Sequence, residues 1–116
     1  MNESLRQKQS RFVLYVGELI RFAYGAGYEL TAGEFYRPQA TAIADATAGI
    51  GIKNSLHTLR LAVDFNLFRG GEFLTGVSDY QPLGEHWESL APDCRWGGRF
   101  SRPDADHFSI EHEGVQ

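Results

Sequence analysis

Apolar residues recur through the first part of the chain at the spacing of one helical face. Leu5, Phe12, Val16, Leu19, Ile20 and Ala23 fall mostly on one side, and Arg6, Lys8, Arg11, Glu18 and Arg21 mostly on the other. That pattern predicts an amphipathic helix over residues 4–25, stopped by Gly25-Ala26-Gly27. Tyr28 to Phe35 reads as a short strand. Pro38 is suited to open a brief helix over 39–48, and Gly49 and Gly51 mark a loop. The period changes to two between Leu59 and Phe68, where Leu61, Val63, Phe65 and Leu67 alternate with Ala62, Asp64, Asn66 and Phe68; this is the main predicted strand. Arg69-Gly70-Gly71-Glu72 reads as a hairpin turn into a second strand, Phe73 to Thr75. A helix over 79–90 should bury Trp87 and Leu90. Residues 91–106 read as loop, and His107 to His112 as a final strand. The pattern is α+β, a small antiparallel sheet with helices packed against it, in one domain spanning 1–116.

Composition narrows the chemistry. The 116 residues suffice for one modest core. Eleven Lys+Arg against fifteen Asp+Glu leave a net charge of −4, which argues against a nucleic-acid partner. The single cysteine, Cys94, allows no intramolecular disulfide. The longest apolar stretch, Phe12 to Tyr24, is broken by Glu18 and Arg21, so no membrane insertion is expected. No secretory signal is evident, and delivery outside a cell would need another agent.

Several motifs fail. Gly25-Ala26-Gly27 lacks the third glycine of a dinucleotide fingerprint and follows a helix. No Walker-type loop and no helical His-Glu-x-x-His is present, and His107 to His112 is one residue too long for the inverted version. Ser55, His57 and Asp64 have the residue types of a hydrolase triad without a nucleophile elbow.

One constellation remains. His57 precedes the main strand, Asp64 lies inside it, and His107 starts the last strand. Two imidazoles and a carboxylate leave a coordination position open for water, as catalytic zinc sites do, and a cation there would bring the water's pKa towards about 7. Asp64 interrupts an apolar run, where an unpaired buried carboxylate is expensive. Spacing alone is equally compatible with a polar strand face and two unrelated histidines.

The local sequences add to this. Ser55-Leu56-His57-Thr58-Leu59-Arg60-Leu61-Ala62-Val63-Asp64 resembles the S-x-H-x-x-G-x-A-x-D motif of the zinc D-Ala-D-Ala carboxypeptidase family, which includes vancomycin-resistance dipeptidases and phage L-alanyl-D-glutamate endopeptidases. Trp96-Gly97-Gly98-Arg99-Phe100, followed by Asp104-Ala105-Asp106-His107-Phe108, is similar to its second motif. The resemblance spans residues ~28 to 112. It implies one zinc on His57, Asp64 and His107, with Asp104 as general base three residues before the last ligand. It implies Arg37 as the group that stabilises an oxyanion or holds a substrate carboxylate, and Ser55 lining the substrate side. Arg60 stands where the motif has Gly, a version that resembles the phage branch. Asp104 stands where the dipeptidase branch has Glu. Asp106 is a rival base at a different spacing.

Other candidates carry less. Glu111, at i+4 from His107, is a possible partner for that ring or a solvated strand end. His86 reads as surface, Trp87 and Trp96 as core, and Cys94 as a bystander. The resemblance implies a phage endolysin that cuts the L-alanyl-D-glutamate bond of peptidoglycan stem peptides. Such an enzyme would act as a monomer, made in the host cytoplasm and released to the wall at lysis. The alternatives are a D-Ala-D-Ala carboxypeptidase or dipeptidase, a non-haem iron oxygenase using the same ligand types, and a zinc-containing wall-binding domain without catalysis.

Overall fold

The computed structural model describes residues 3–41, 44 and 55–116. Helix α1 (Leu5–Gly25) starts at a capping box: the Ser4 hydroxyl accepts from the Gln7 N–H, and the Gln7 side chain accepts from the Ser4 N–H. Its buried residues Phe12, Val16, Leu19 and Ala23 form the expected stripe, while Leu5 and Ile20 lie at its exposed margins. Strand β1 (Glu29–Ala32) follows. Residues 39–41 and 44 are helical; the rest of the predicted 39–48 helix and the Gly49/Gly51 loop lie outside the described residues. A 3₁₀ turn (Leu56–Leu59) leads into β2 (Ala62–Arg69), then β3 (Glu72–Leu74), helix α2 (Val77–Leu90), β4 (Cys94–Trp96), a second 3₁₀ turn (Gly97–Arg99) and β5 (His107–Ile110).

All strand pairs are antiparallel, in the order β1-β2-β5-β4, with β3 paired to the far end of β2. The β2–β3 turn uses Gly70 and Gly71 at φ of 58° and 80°, angles that a two-residue hairpin with the native strand twist requires. Helices α1 and α2 contribute to the core on one side of the sheet. Trp87 is the keystone: its ring meets Phe12 at 5.8 Å and Phe108 at 6.0 Å, and its indole N–H donates to the Ser109 carbonyl at 3.0 Å. Tyr80 is tied to β2, its hydroxyl donating to the Phe65 carbonyl and accepting from the Leu67 N–H.

Two predicted elements are corrected. The main strand begins at Ala62 rather than Leu59, because Arg60 takes a left-handed conformation (φ 57°) that ends the 3₁₀ turn and prevents extension. The predicted 91–106 loop contains β4, three residues long. Its Cys94 and Trp96 are buried against β5, too short a run for alternation to reveal.

Arg11 anchors α1 to the loop before β4 through a two-pronged pair with Asp93, at 2.9 and 2.7 Å. The guanidinium holds the Asp93 carboxyl below its ordinary value, against the opposing effect of burial. That contribution is fully present above the unfolded carboxyl pKa and is lost as pH falls through the depressed folded value. Asp93→Asn should therefore cost about 1 kcal/mol at pH 7. The difference from wild type should shrink progressively below about pH 4, as read from urea unfolding across that range. A constant difference would show that the charge on Asp93 is not what matters.

Candidate metal centre

The residues of β2 alternate across the sheet. Val63, Phe65 and Leu67 enter the core while Asp64 points to the other face. In the β2–β5 ladder Asp64 lies directly opposite His107, the arrangement in which side chains on one sheet face approach most closely. His57 arrives from the preceding 3₁₀ turn. The Ser55 hydroxyl accepts from the His57 N–H at 3.2 Å and caps that turn. Three residues from three elements thus meet at one point, with both histidines buried.

Each ring presents one nitrogen to the same oxygen. His57 Nε2 is 3.4 Å and His107 Nδ1 3.6 Å from Asp64 Oδ1, long for hydrogen bonds. That oxygen is buried and, among the described residues, has no hydrogen-bond partner, which is costly unless something else satisfies it. Donors of a tetrahedral ion at bonds of ~2.0–2.1 Å stand about 3.3–3.4 Å apart, close to both separations. The outer nitrogens face carbonyls: His57 Nδ1 lies 3.4 Å from the Phe35 oxygen and His107 Nε2 3.3 Å from that of Gln116. This is how metal-binding imidazoles are usually oriented. The donor set and its orphaned oxygen fit a zinc ion.

Burial and charge oppose each other at these groups. Burial works against ionisation of Asp64, but the two imidazoles outweigh it and hold the carboxyl at about 2. Burial also opposes charge on His57, yet Asp64 and Glu34 prevail and raise its pKa. Asp64, Asp104 and Asp106 form a second convergence, each offering an oxygen within 4.8 Å of the others. Burial, then Asp104 and Asp64, push Asp106 up to about 7. Asp104 itself is exposed.

Gly97 makes the loop possible. A Cβ there would stand 2.0 Å from the Asp104 carbonyl oxygen and 2.8 Å from the His107 Cβ. The Gly97 carbonyl also accepts from the Asp104 N–H, and the Asp104 carbonyl from the His107 N–H.

The remaining expected residues separate. Arg37 lies at the Glu34 side of His57: its Nε donates to Glu34 Oε1 at 3.0 Å, and its backbone N–H to the His57 carbonyl. Ser55 is buried and borders a cleft of ≈ 350 Å³ with Gln39, Thr58 and His112. Glu111 pairs with Arg95, beyond the end of β5, and does not reach His107's ring. His112 lies 3.2 Å from Lys8 Nζ. His86 is half-buried, stacked on Phe22 at 4.1 Å. Cys94 is buried, and burial pushes its thiol to about 12. Trp96 is core, its indole N–H donating to the Ala105 carbonyl. Arg99 pairs with Glu88. Sequence reasoning missed Glu34 and the Phe35 and Gln116 carbonyls. Only Glu34's spacing of three from Arg37 hinted at a shared role, and backbone acceptors leave no mark in a sequence.

The family model described as D-alanyl-D-alanine carboxypeptidase matches residues 48–110. The chain belongs to this peptidase family. The matched span holds Ser55, His57, Asp64, Asp104 and His107, whereas Glu34 and Arg37 precede it. The family fold is also seen in the Serratia marcescens L-Ala D-Glu endopeptidase ChiX, at 19% identity and a TM-score of 0.73, covering 88% of this chain and 79% of that one. No protein of curated function matches this carboxypeptidase-family chain by sequence.

Gly97→Ala should lower stability by about 2–3 kcal/mol, since the loop cannot take the added methyl without moving. Chemical denaturation measures this, and wild-type stability would show that the Gly97–Asp104 approach is dispensable.

Proposed function

We propose that this peptidase is a zinc enzyme that hydrolyses the L-alanyl-D-glutamate bond of peptidoglycan stem peptides, in the manner of a phage lysis enzyme. The observation that carries the zinc assignment is Asp64 Oδ1, without a hydrogen-bond partner among the described residues, between two imidazole nitrogens at donor spacing. His57, Asp64 and His107 would hold the ion. When bound, it supplies Lewis acidity that activates water and polarises the scissile carbonyl.

The chain's own groups do the rest. Asp104 is exposed beside Asp64 and Asp106, and its carboxylate takes the proton of the attacking water. As the water oxygen bonds to the carbonyl carbon and the C–N bond breaks, the same carboxyl returns that proton to the departing amine. Arg37 supplies a guanidinium for a substrate carboxylate or the developing oxyanion. Ser55 shapes the turn that carries His57 and on this reading lines the substrate side of the site. The Serratia structure is described as an L-Ala D-Glu endopeptidase, which supports that bond. The family description favours D-Ala-D-Ala instead as a second reading. No helix among the described residues is long and apolar enough to cross a membrane. We place the enzyme, as a monomer, in the host cytoplasm until lysis brings it to the wall.

Purified Gram-negative peptidoglycan, digested with and without a chelator and read by mass spectrometry, tests this. Chelator-sensitive release of peptides beginning at D-Glu is expected. Free D-Ala would select the carboxypeptidase reading, and no release from a zinc-loaded protein would leave a wall-binding domain. Asp104→Ala should keep its zinc and lose about 10²–10⁴ in turnover; full activity would move the base elsewhere, Asp106 being the nearest alternative. His57→Ala should lose stoichiometric zinc and activity together, and a variant that kept its metal would remove His57 from the ligand set.

A further inference from the structure

The segment from Gly33 to Arg37 is stitched to two of the three proposed ligands. The Gly33 N–H donates to the Asp64 carbonyl at 2.7 Å, the Asp64 N–H to the Glu34 carbonyl at 2.9 Å, and the Arg37 N–H to the His57 carbonyl at 3.1 Å. Contact is close enough that a Cβ on Gly33 would stand 3.0 Å from the Asp64 carbonyl oxygen. Arg60, just beyond the His57 turn, stacks its guanidinium on the Tyr36 ring at 4.0 Å. The segment is therefore fixed relative to both Asp64 and His57.

Within it, one side chain is aimed at a ligand. Glu34 Oε1 lies 3.8 Å from His57 Nδ1, on the ring edge opposite Asp64. The same oxygen accepts from Arg37 Nε and Nη2, and this two-pronged grip limits where the carboxylate can swing. The Phe35 carbonyl approaches that ring edge too. The Phe35 carbonyl at 3.4 Å and the charge of Glu34 at 3.8 Å, beyond hydrogen-bond distance, together favour a proton on Nδ1, which leaves Nε2 with its lone pair towards Asp64.

We propose that Glu34, held by Arg37, is a positioning residue for metal capture that sets the tautomer and orientation of His57. The inference rests on the zinc reading above and extends it to a residue outside the span that the family model matches. Arg37 accordingly has a bracing role besides any contact with substrate. The device resembles the carboxylate–imidazole–metal arrangement in which an outer acceptor both orients the ring and raises its basicity.

Zinc affinity, measured by competition with a chromophoric chelator, tests this on wild type, Glu34→Ala and Glu34→Gln, with unfolding of the zinc-free forms recorded alongside. Glu34→Ala should bind zinc about 10–100-fold more weakly. Glu34→Gln should lose less, because its amide oxygen can still face Nδ1 and accept from Arg37. A purely structural role would lower the stability of the zinc-free variants and leave the folded protein's affinity unchanged. Wild-type affinity in Glu34→Ala, or an equal loss in both variants, overturns the proposal while leaving the metal centre standing. A wild-type chain that binds no zinc removes both.

Discussion

The site depends on a single cross-strand pairing. Asp64 and His107 face each other in the β2–β5 ladder, and the register between those strands decides whether a carboxylate meets an imidazole. A slip of one residue would send Asp64 into the core and Val63 to the open face. The apolar side enforces the register, because Val63, Phe65, Leu67 and Phe108 are all buried. The packing that stabilises the fold therefore also sets the ligand geometry. The exchange leaves one tension, since Asp64 Oδ1 is desolvated and accepts no hydrogen bond from the described residues. Two imidazoles keep it ionised, which is the state a metal needs.

Around that pair the protein builds in layers. The Ser55-capped turn delivers His57, the Gly33–Arg37 segment braces it, and the Gly97 contact fixes the loop that carries Asp104 into β5. Trp96 links these to the core, since its ring fills the space that Gly84 of α2 leaves open and its indole N–H holds the Ala105 carbonyl. The paired glycines of the second motif thus have a physical reason: side chains at 97 or 98 would collide with the Asp104 carbonyl or the Trp96 ring.

Much of this was legible in the residues. The α1 stripe, the alternation of β2 and the Gly70-Gly71 turn follow from periodicity and turn chemistry. The convergence of His57, Asp64 and His107 came from residue type and motif order, since spacing alone did not separate it from chance. What escaped has specific causes. Arg60 adopts a left-handed angle usually left to glycine, and the glycine that the resembling motif carries at this position was the one local mark of where β2 starts. β4 is too short for a period to show. Glu34 acts on His57 across 3.8 Å but 23 positions away in the chain, a distance only the fold can close. Asp104 and Asp106 proved close neighbours of Asp64, a clustering that their shared loop did not announce.

The most direct test of the central claim is X-ray absorption at the zinc edge on protein loaded with one equivalent of the metal. A shell of nitrogen and oxygen donors at about 2.0–2.2 Å with the multiple scattering of two imidazoles is expected. A sulfur shell near 2.3 Å, a single imidazole, or zinc that washes out of the folded protein would contradict it.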